Sequence, residues 1–176
     1  MRIITGIYKG RRFDVPRTFK ARPTTDFAKE NIFNVLNGYI DLEDATALDL
    51  FAGTGSISLE LLSRGCRTVV SVEKDRDHAR FIQQCIDHIG ADNNVLIRGD
   101  VFKFIGSCHE QFDFIFADPP YALAELPQLP DMILSHDMLK EGGLLVFEHG
   151  AKNSFQDHPR FVDHRAYGSV NFSLFR

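Results

Sequence analysis

The chain has 176 residues, of which 44% are hydrophobic and 25% are charged, a composition typical of one globular domain. Its formal net charge of −4 argues against a general nucleic-acid binder. No apolar run reaches the roughly 18 residues of a membrane span, and residues 1–6 are too polar for a signal peptide. Scattered cysteines without C-x-x-C spacing, and histidines without paired metal-ligand spacing, predict reduced thiols in the cytoplasm and no metal site.

The first 22 residues are basic, although the chain as a whole is acidic. Seven Lys and Arg residues against one Asp give residues 1–22 a charge of +6, which leaves −10 on the remainder. Such a segment predicts contact with an anionic partner, and the alternative is a solvated basic face. Strand-like residues 2–5 and 12–15, separated by Gly6 and Gly10, predict a short hairpin.

The next segment predicts one helix, after which strands and helices alternate. Thr24 or Thr25 can cap this helix, which has apolar residues at helical spacing as far as about Asn37. From residue 45 the alternation predicts a doubly wound, mainly parallel α/β sheet whose last two strands pair antiparallel. The predicted strands are residues 47–51, 68–72, 95–98, 112–117, 144–148, 160–166 and 169–175, and the predicted helices are residues 57–64, 75–89, a short stretch after residue 100, and 131–139.

A Gly-x-Gly loop follows the first predicted strand, in the run Asp-Leu-Phe-Ala-Gly-Thr-Gly at residues 49–55. Gly53 and Gly55 allow a tight turn and a close approach of a ligand to the backbone. Ser58 stands where a dinucleotide fingerprint has its third glycine, so we do not expect a pyrophosphate. The following helix N-terminus favours a carboxylate, and Asp49 can meet an ammonium group. Taken alone, the loop is also explained as a structural strand-to-helix turn.

Two more acids end the next two strands. Glu73 follows Gly53 by about 20 residues, the separation at which nucleotide folds place a carboxylate that accepts ribose hydroxyls. Its alternative is a solvated acid at a strand end. Asp100 can accept an adenine amino group, with the N–H of Val101 beside it, or it can cap the short helix. Because the carboxyl ends of parallel strands meet at one edge, we expect these acids and Phe51 to line one pocket.

The whole chain is organised around the sequence Asp-Pro-Pro-Tyr at residues 118–121, which directly follows a buried strand. The prolines lack N–H groups and fix the backbone, so the local carbonyls are held in place and can accept from a ligand. Asp118 and the Pro119 carbonyl can accept both N–H bonds of an exocyclic amine while Tyr121 stacks on the base. The alternative is a Pro-Pro loop with a surface tyrosine.

Together these motifs describe a pocket for an adenosine that carries an amino-acid tail and no phosphates, which is S-adenosylmethionine. Its sulfonium is cationic, so an acidic cleft suits it. The D-P-P-Y corner ends the strand that follows the cofactor loops, which places an amine acceptor beside the methyl donor. The sequence therefore predicts methyl transfer to an amino group.

The motifs also resemble a known family. The Gly-x-Gly run, Val-Glu-Lys-Asp at residues 72–75 and the D-P-P-Y corner are similar to those of class I methyltransferases acting on amino groups. Residues 6–12, 22–26, 29–30, 33–34 and 167–168 resemble the bacterial 16S rRNA guanine-N2 methyltransferase family, RsmD. The resemblance covers nearly the whole chain, and Arg-Pro-Thr-Thr-Asp at residues 22–26 is its specific part.

The resemblance implies a seven-stranded Rossmann-like sheet and methylation of a guanine in 16S rRNA, within a partly assembled 30S subunit. It implies that residues 1–40 form a basic extension that contacts RNA and residues 41–176 form the methyltransferase domain. By position, the cofactor residues are Asp49, Phe51, Gly53, Gly55, Glu73, Asp100 and Val101, the base residues are Asp118, Pro119 and Tyr121, and the RNA residues are Arg11, Arg12, Arg22 and Thr24.

Other functions stay open at this point. The D-P-P-Y corner fits any planar, amide-like nitrogen, so a methyltransferase acting on DNA or on a protein glutamine is one alternative. A non-catalytic RNA-binding module that assists ribosome assembly and shares the fold is another.

Overall fold

The computed structural model describes residues 1–176, which form an α/β fold around one seven-stranded sheet. The strands are β1 (Thr46–Leu50), β2 (Thr68–Glu73), β3 (Asn94–Arg98), β4 (Phe112–Ala117), β5 (Leu139–His149), β6 (Phe161–Tyr167) and β7 (Val170–Phe175). Their order across the sheet is β3-β2-β1-β4-β5-β7-β6. Strands β1 to β5 pair in parallel, and β7 pairs antiparallel with both β5 and β6. The predicted doubly wound, mainly parallel sheet is therefore confirmed.

Helices cover both faces of this sheet. They are α1 (Asp26–Leu36), α2 (Ser56–Ser63), α3 (Arg76–Ile89), α4 (Val101–Ser107) and α5 (Leu129–Ser135), with a short 3-10 helix at Leu126–Gln128. Alternate strand residues face opposite sides, so Phe114 and Phe116 pack with α1–α3, whereas Ile115 and Ala117 pack with α4 and α5. None of these helices combines the length and the apolar character that crossing a membrane requires.

Side chains that start the helices account for several of the observed boundaries. Thr25 caps α1, since its Oγ1 accepts from the Ala28 N–H at 3.2 Å. Asp75 caps α3 by accepting from two backbone N–H groups, and Gly90 ends it in the left-handed conformation. These residues end or begin helices close to the predicted boundaries.

The predicted helix at residues 131–139 is wrong at its C-terminal end. Helix α5 stops at Ser135, and Asp137 adopts a left-handed backbone with φ 54° that no α-helix can continue. Leu139 already begins β5, which is longer than the predicted strand and pairs with Phe112 before a register shift.

The predicted N-terminal hairpin forms only in part, with one antiparallel bridge between Arg2 and Arg12. The Phe13 N–H donates to the Met1 carbonyl at 2.9 Å, and the Ile3 N–H donates to the Arg11 carbonyl at 3.0 Å. Beyond Ile3 the segment bonds to α2, because the N–H groups of Ile4 and Thr5 donate to the two carboxylate oxygens of Glu60, at 2.8 and 3.1 Å. The N-terminal segment, which comprises residues 1–25 before α1, is thus attached to α2. Its Ile3 packs in the same core as α1–α3. The division of the chain at residue 40 stays a prediction.

A buried ion pair joins α1 to α2 beneath this segment. Lys29 and Glu60 have essentially no exposed side-chain surface, and the Lys29 Nζ lies 3.5 Å from Glu60 Oε1. The same Nζ donates to the Arg2 carbonyl at 2.6 Å and to the Ser56 Oγ at 2.9 Å. Arg64 also reaches Glu60 Oε2, at 2.9 Å. Burial lowers the pKa of Lys29, and the neighbouring Glu60 carboxylate opposes this effect.

Replacing Lys29 with Met should strongly destabilise the fold. The change leaves Arg64 as the one cation paired with the buried Glu60 and removes the donor to Arg2 and Ser56. Breaking a buried pair typically costs about 3–5 kcal/mol. Urea denaturation at neutral pH would measure the free energy of unfolding. The matched control is Glu30→Gln, an exposed change on the same helix, which should stay within about 0.5 kcal/mol. A Lys29→Met protein as stable as this control would contradict the assignment.

Candidate functional site

A cleft opens at the carboxyl ends of β1 to β4, where the chain changes from one half of the sheet to the other. In open α/β sheets, this topological switch point is where ligands bind. The cleft volume of about 930 Å³ lies at the upper end of the roughly 300–1,000 Å³ range of small-molecule sites. The predicted site residues that line it are Arg22, Thr24, Asp49, Phe51, Gly53, Glu73, Asp100, Val101, Asp118, Pro119 and Tyr121.

Three predicted site residues do not line the cleft. Gly55 precedes α2 with φ 82°, and a Cβ built on it would lie only 2.9 Å from the Ile82 side chain. Packing between α2 and α3 thus explains this glycine, and its contact with a cofactor stays a prediction. Arg11 and Arg12 are exposed on the N-terminal segment, outside the cleft.

Glu73 holds the glycine loop from the end of β2. Its Oε1 accepts from the Gly53 N–H at 2.8 Å, and its Oε2 accepts from the Asp75 N–H at 2.8 Å. A carboxylate has about four acceptor positions, so two remain for a ligand. His78, in the first turn of α3, lies 3.7 Å from Glu73 Oε2. Glu73 therefore orders the loop and leaves acceptor positions for a ligand.

Aromatic rings and Asp100 form the adjoining part of the cleft. Phe51 has φ 60°, a conformation that is rare for a bulky residue and costs about 1–3 kcal/mol. Its ring packs edge-on against Phe102, with the centroids 6.5 Å apart. The Asp100 Oδ1 caps α4 by accepting from the Lys103 N–H at 3.1 Å, which leaves its second oxygen for a ligand. Capping and ligand binding by Asp100 are thus compatible.

Asp49 lies at the buried inner end of the cleft. Its Oδ2 accepts from the Ser58 Oγ at 2.6 Å, and that hydroxyl is also 2.6 Å from the Ser71 Oγ. Burial raises the pKa of Asp49 to about 7, and the charge of Glu73 adds to the rise. A cation bound beside Asp49 would favour its ionised form, which is consistent with its predicted ammonium contact.

The D-P-P-Y corner adjoins the glycine loop because β4 lies beside β1. The Asp118 N–H donates to the Leu50 carbonyl at 3.3 Å, and Leu50 is opposite Ala117 in the strand register. Tyr121 leaves 46% of its surface exposed at the cleft, and its hydroxyl donates to Glu148 Oε2 at 3.0 Å. An acid, a proline carbonyl and an aromatic ring thus border the same cleft as the predicted cofactor residues.

Three side chains in this corner, those of Asp118, Glu148 and Tyr121, have raised pKa values. Burial raises the pKa of Asp118 well above its ordinary value, and the carboxyl of Glu148 raises it further. Burial also raises the pKa of Glu148 and that of the Tyr121 phenol. Two neighbouring carboxyl groups that share a site cannot both ionise easily, so one of them keeps a proton to a higher pH.

The N-terminal segment supplies one wall of the cleft, a role that the sequence indicates only for Arg22 and Thr24. All five residues from 20 to 24 line the cleft. Phe19 precedes them and packs on His78, with the ring centroids 4.5 Å apart. The Thr24 Oγ1 reaches Glu148 Oε1 at 3.5 Å. Residues 20–24 and the predicted cofactor residues therefore line one cleft.

Glu148 is a site residue that the motifs do not identify. It lies near the end of β5, is only 6% exposed, and contacts the corner from behind. Its position at the end of a parallel strand is a signal in the sequence, since such ends meet at one edge of the sheet. No group of three or more His, Cys, Asp or Glu side chains is arranged to hold a metal ion.

Comparisons with known proteins agree with this geometry. A family model described as Conserved hypothetical protein 95 matches residues 1–176. Ribosomal RNA small subunit methyltransferase D of Escherichia coli strain K12 is 30% identical over 159 residues, covering 90% of this chain and 79% of that protein. Hypothetical protein TTHA0928 of Thermus thermophilus has a solved structure with a TM-score of 0.87 at 28% identity, covering 100% of this chain and 99% of that one.

A more distant structure shares the fold alone. SMU.776, solved in complex with SAH, has a TM-score of 0.67 at 18% identity and covers 84% of this chain and 49% of its own. The family model, in contrast, spans every residue, and the Escherichia coli relative aligns over most of both chains. The chain therefore belongs to the Conserved hypothetical protein 95 family, and the resemblance of its motifs to the 16S rRNA methyltransferases is confirmed.

Proposed function

We propose that the chain transfers a methyl group from S-adenosylmethionine to the exocyclic N2 amine of a guanine in 16S rRNA. One observation carries the proposal. Asp118 lines the same cleft as the glycine loop and Glu73, and its backbone is hydrogen-bonded to the end of β1. An acceptor for an amine therefore borders a pocket suited to a methyl donor. The relatives named ribosomal RNA small subunit methyltransferase D support rRNA as the substrate.

The residues of the cleft fit S-adenosylmethionine better than a phosphorylated nucleotide. Glu73 keeps two acceptors for ribose hydroxyls, and Asp100 keeps one oxygen for an adenine amine. The acids that line the cleft are Asp49, Glu73, Asp75, Asp100 and Asp118, and its basic residues are Lys20, Arg22 and Lys74. Asp49 and Glu73 are buried, whereas all three basic residues are exposed. Such a surface attracts a cation and repels phosphate groups. When bound, the cofactor supplies a methyl group on a cationic sulfonium.

The D-P-P-Y corner would prepare the acceptor nitrogen. The lone pair of a guanine amine is delocalised into the ring, which makes it a poor nucleophile. An ionised Asp118 and the Pro119 carbonyl can accept its two N–H bonds, which favours a tetrahedral nitrogen and stabilises the positive charge that develops there. The ring of Tyr121 offers a stacking surface, which offsets part of the few kcal/mol needed to unstack the base. Positioning of the two reactants supplies much of the rate.

The N-terminal segment would bind the RNA around the target base. Arg11 and Arg12 are exposed, and Arg22 and Thr24 lie at the cleft itself. Basic side chains neutralise phosphates and release counterions, so binding should weaken as salt rises. We propose a partly assembled 30S subunit as the substrate particle, in which a single-stranded target guanine is accessible, and the cytoplasm as the location.

Replacing Asp118 with Ala should reduce methyl transfer by at least about 100-fold, the loss typical when one group that stabilises transition-state charge is removed. Cofactor affinity should change little, because Glu73 and Asp100 remain. A tritiated-methyl assay on small-subunit particles would measure transfer, and calorimetry would measure S-adenosylmethionine binding.

The control for this variant is Asp92→Ala, which removes an exposed acid from the loop before β3 and should behave like the unmodified protein. Full transfer by the Asp118→Ala protein would refute the catalytic role. Naked DNA and protein acceptors, tested in parallel, would reveal either of the alternative substrates, and binding without transfer to any acceptor would indicate an assembly module.

Reversing the charge at Arg11 and Arg12 together, by Arg11→Glu and Arg12→Glu, should weaken RNA binding. If each side chain contacts one phosphate, the slope of log affinity against log salt should become shallower by about two. The matched control is Arg80→Glu with Lys103→Glu, an equal charge change on exposed positions of α3 and α4. RNA affinity that falls equally in both variants would assign the effect to net charge and not to the N-terminal segment.

A further inference from the structure

Glu148 links three groups of the candidate active site from behind. Its Oε2 accepts from the Tyr121 hydroxyl at 3.0 Å, and its Oε1 lies 3.5 Å from the Thr24 Oγ1. Its carboxyl also acts on Asp118, because its charge raises the pKa of that neighbouring carboxyl. Glu148 itself does not line the cleft and is 6% exposed. Any effect of Glu148 on a substrate must therefore act through these three neighbours.

The end of β5 holds the Tyr121 ring on two sides. Glu148 binds its hydroxyl, and a Cβ built on Gly150 would lie 3.2 Å from the Tyr121 Cδ2. A side chain at residue 150 would therefore crowd the ring and require it to shift by a few tenths of an ångström. The bond to Glu148 and the limited space beside Gly150 together restrict the orientation of the ring, while nearly half of the surface of Tyr121 stays open.

We propose that Glu148 is a positioning residue for methyl transfer, which sets the orientation of Tyr121 and the charge of Asp118 and ties both to Thr24 in the N-terminal wall. This inference rests on the proposed function, because Tyr121 and Asp118 matter to catalysis only if they receive the target base. Buried polar groups that are joined in such a network hold one another in a single arrangement.

The electrostatic part of this role concerns which carboxyl keeps the proton. The charge of Asp49 on β1 raises the pKa of Asp118, whereas the hydrogen bonds that Tyr121 and Thr24 make to Glu148 favour the ionised form of Glu148. Burial and the neighbouring Glu148 carboxyl raise the pKa of Asp118. Asp118 therefore keeps a proton to a higher pH, and it must lose that proton before it can accept two N–H bonds from an amine.

Replacing Glu148 with Gln separates the effect of its charge on Asp118 from the effect of its contact with Tyr121. Gln keeps an oxygen that can accept from Tyr121 but removes the negative charge beside Asp118. Asp118 should then ionise more easily, so the acid limb of the single-turnover rate against pH should move down by about one pH unit or more. Cofactor affinity, measured by calorimetry, should stay within about twofold.

Two further variants test the shape. Glu148→Ala removes every contact and should lower the maximal rate at least about tenfold, with a smaller change in the KM for the particle. Gly150→Ala displaces the Tyr121 ring without changing any charge, so it should lower the rate and leave the pH profile in place. The control is Glu141→Gln, an exposed acid earlier on β5, which should match the unmodified protein.

An acid limb of the Glu148→Gln protein that stays in place, or moves to higher pH, would overturn the proposal. A carboxyl-carbon NMR titration of the protein alone, with Asp118→Asn to assign the resonance, tests the same shift without any substrate. If the unmodified protein transfers no methyl group to particles, the proposed function fails, whereas an unmoved Asp118 resonance in the Glu148→Gln protein rejects the role of Glu148 by itself.

Discussion

The parallel pairing of β1 with β4 is the constraint on which the whole site depends. It sets Leu50 opposite Ala117, so that the glycine loop after one strand and the D-P-P-Y corner after the other leave the sheet side by side. A shift of one residue in this register would exchange the two faces of β4. Phe114 and Phe116 would then face the wrong core, and Asp118 would no longer meet the end of β1. Packing of the core thus fixes the distance between the two halves of the site.

This arrangement collects carboxyl groups that oppose folding at neutral pH. Burial raises the pKa of Asp49 from 3.8 to about 7, so the folded state holds a proton that the unfolded chain releases. By linkage, this bound proton stabilises the folded state below about pH 4, and the stabilisation is lost as the pH rises toward 7. The raised pKa of Asp118 acts in the same direction. A bound cationic ligand offsets this cost. The same buried carboxyl groups that weaken the fold would therefore favour binding of a cationic cofactor.

Much of the fold, and most of the residues that line the cleft, could be predicted from the sequence, since both depend on local patterns. Apolar periodicity and caps such as Asp75 are read within a few residues. Glu148 has no local motif, because its contact with Tyr121 comes from the loop after β4, a different part of the chain. In the sequence, Lys29 looks like a surface residue of α1. Its burial depends on contacts with Arg2 and Glu60, which lie far from it along the chain. The end of α5 depends on the left-handed backbone of Asp137, for which an aspartate is only a weak signal.

The N-terminal segment belongs physically to the catalytic half, although its charge sets it apart. Glu60 accepts from two of its N–H groups, Lys29 binds its backbone and also Ser56 at the start of α2, directly after the glycine loop, and residues 20–24 line the cleft. A change in the position of this segment must therefore disturb the glycine loop, the cleft wall, or both. Under the proposed function, RNA that orders the segment would also order the surface next to the target base. RNA contact and cofactor binding are then coupled through one packed body, and no hinge between domains is required.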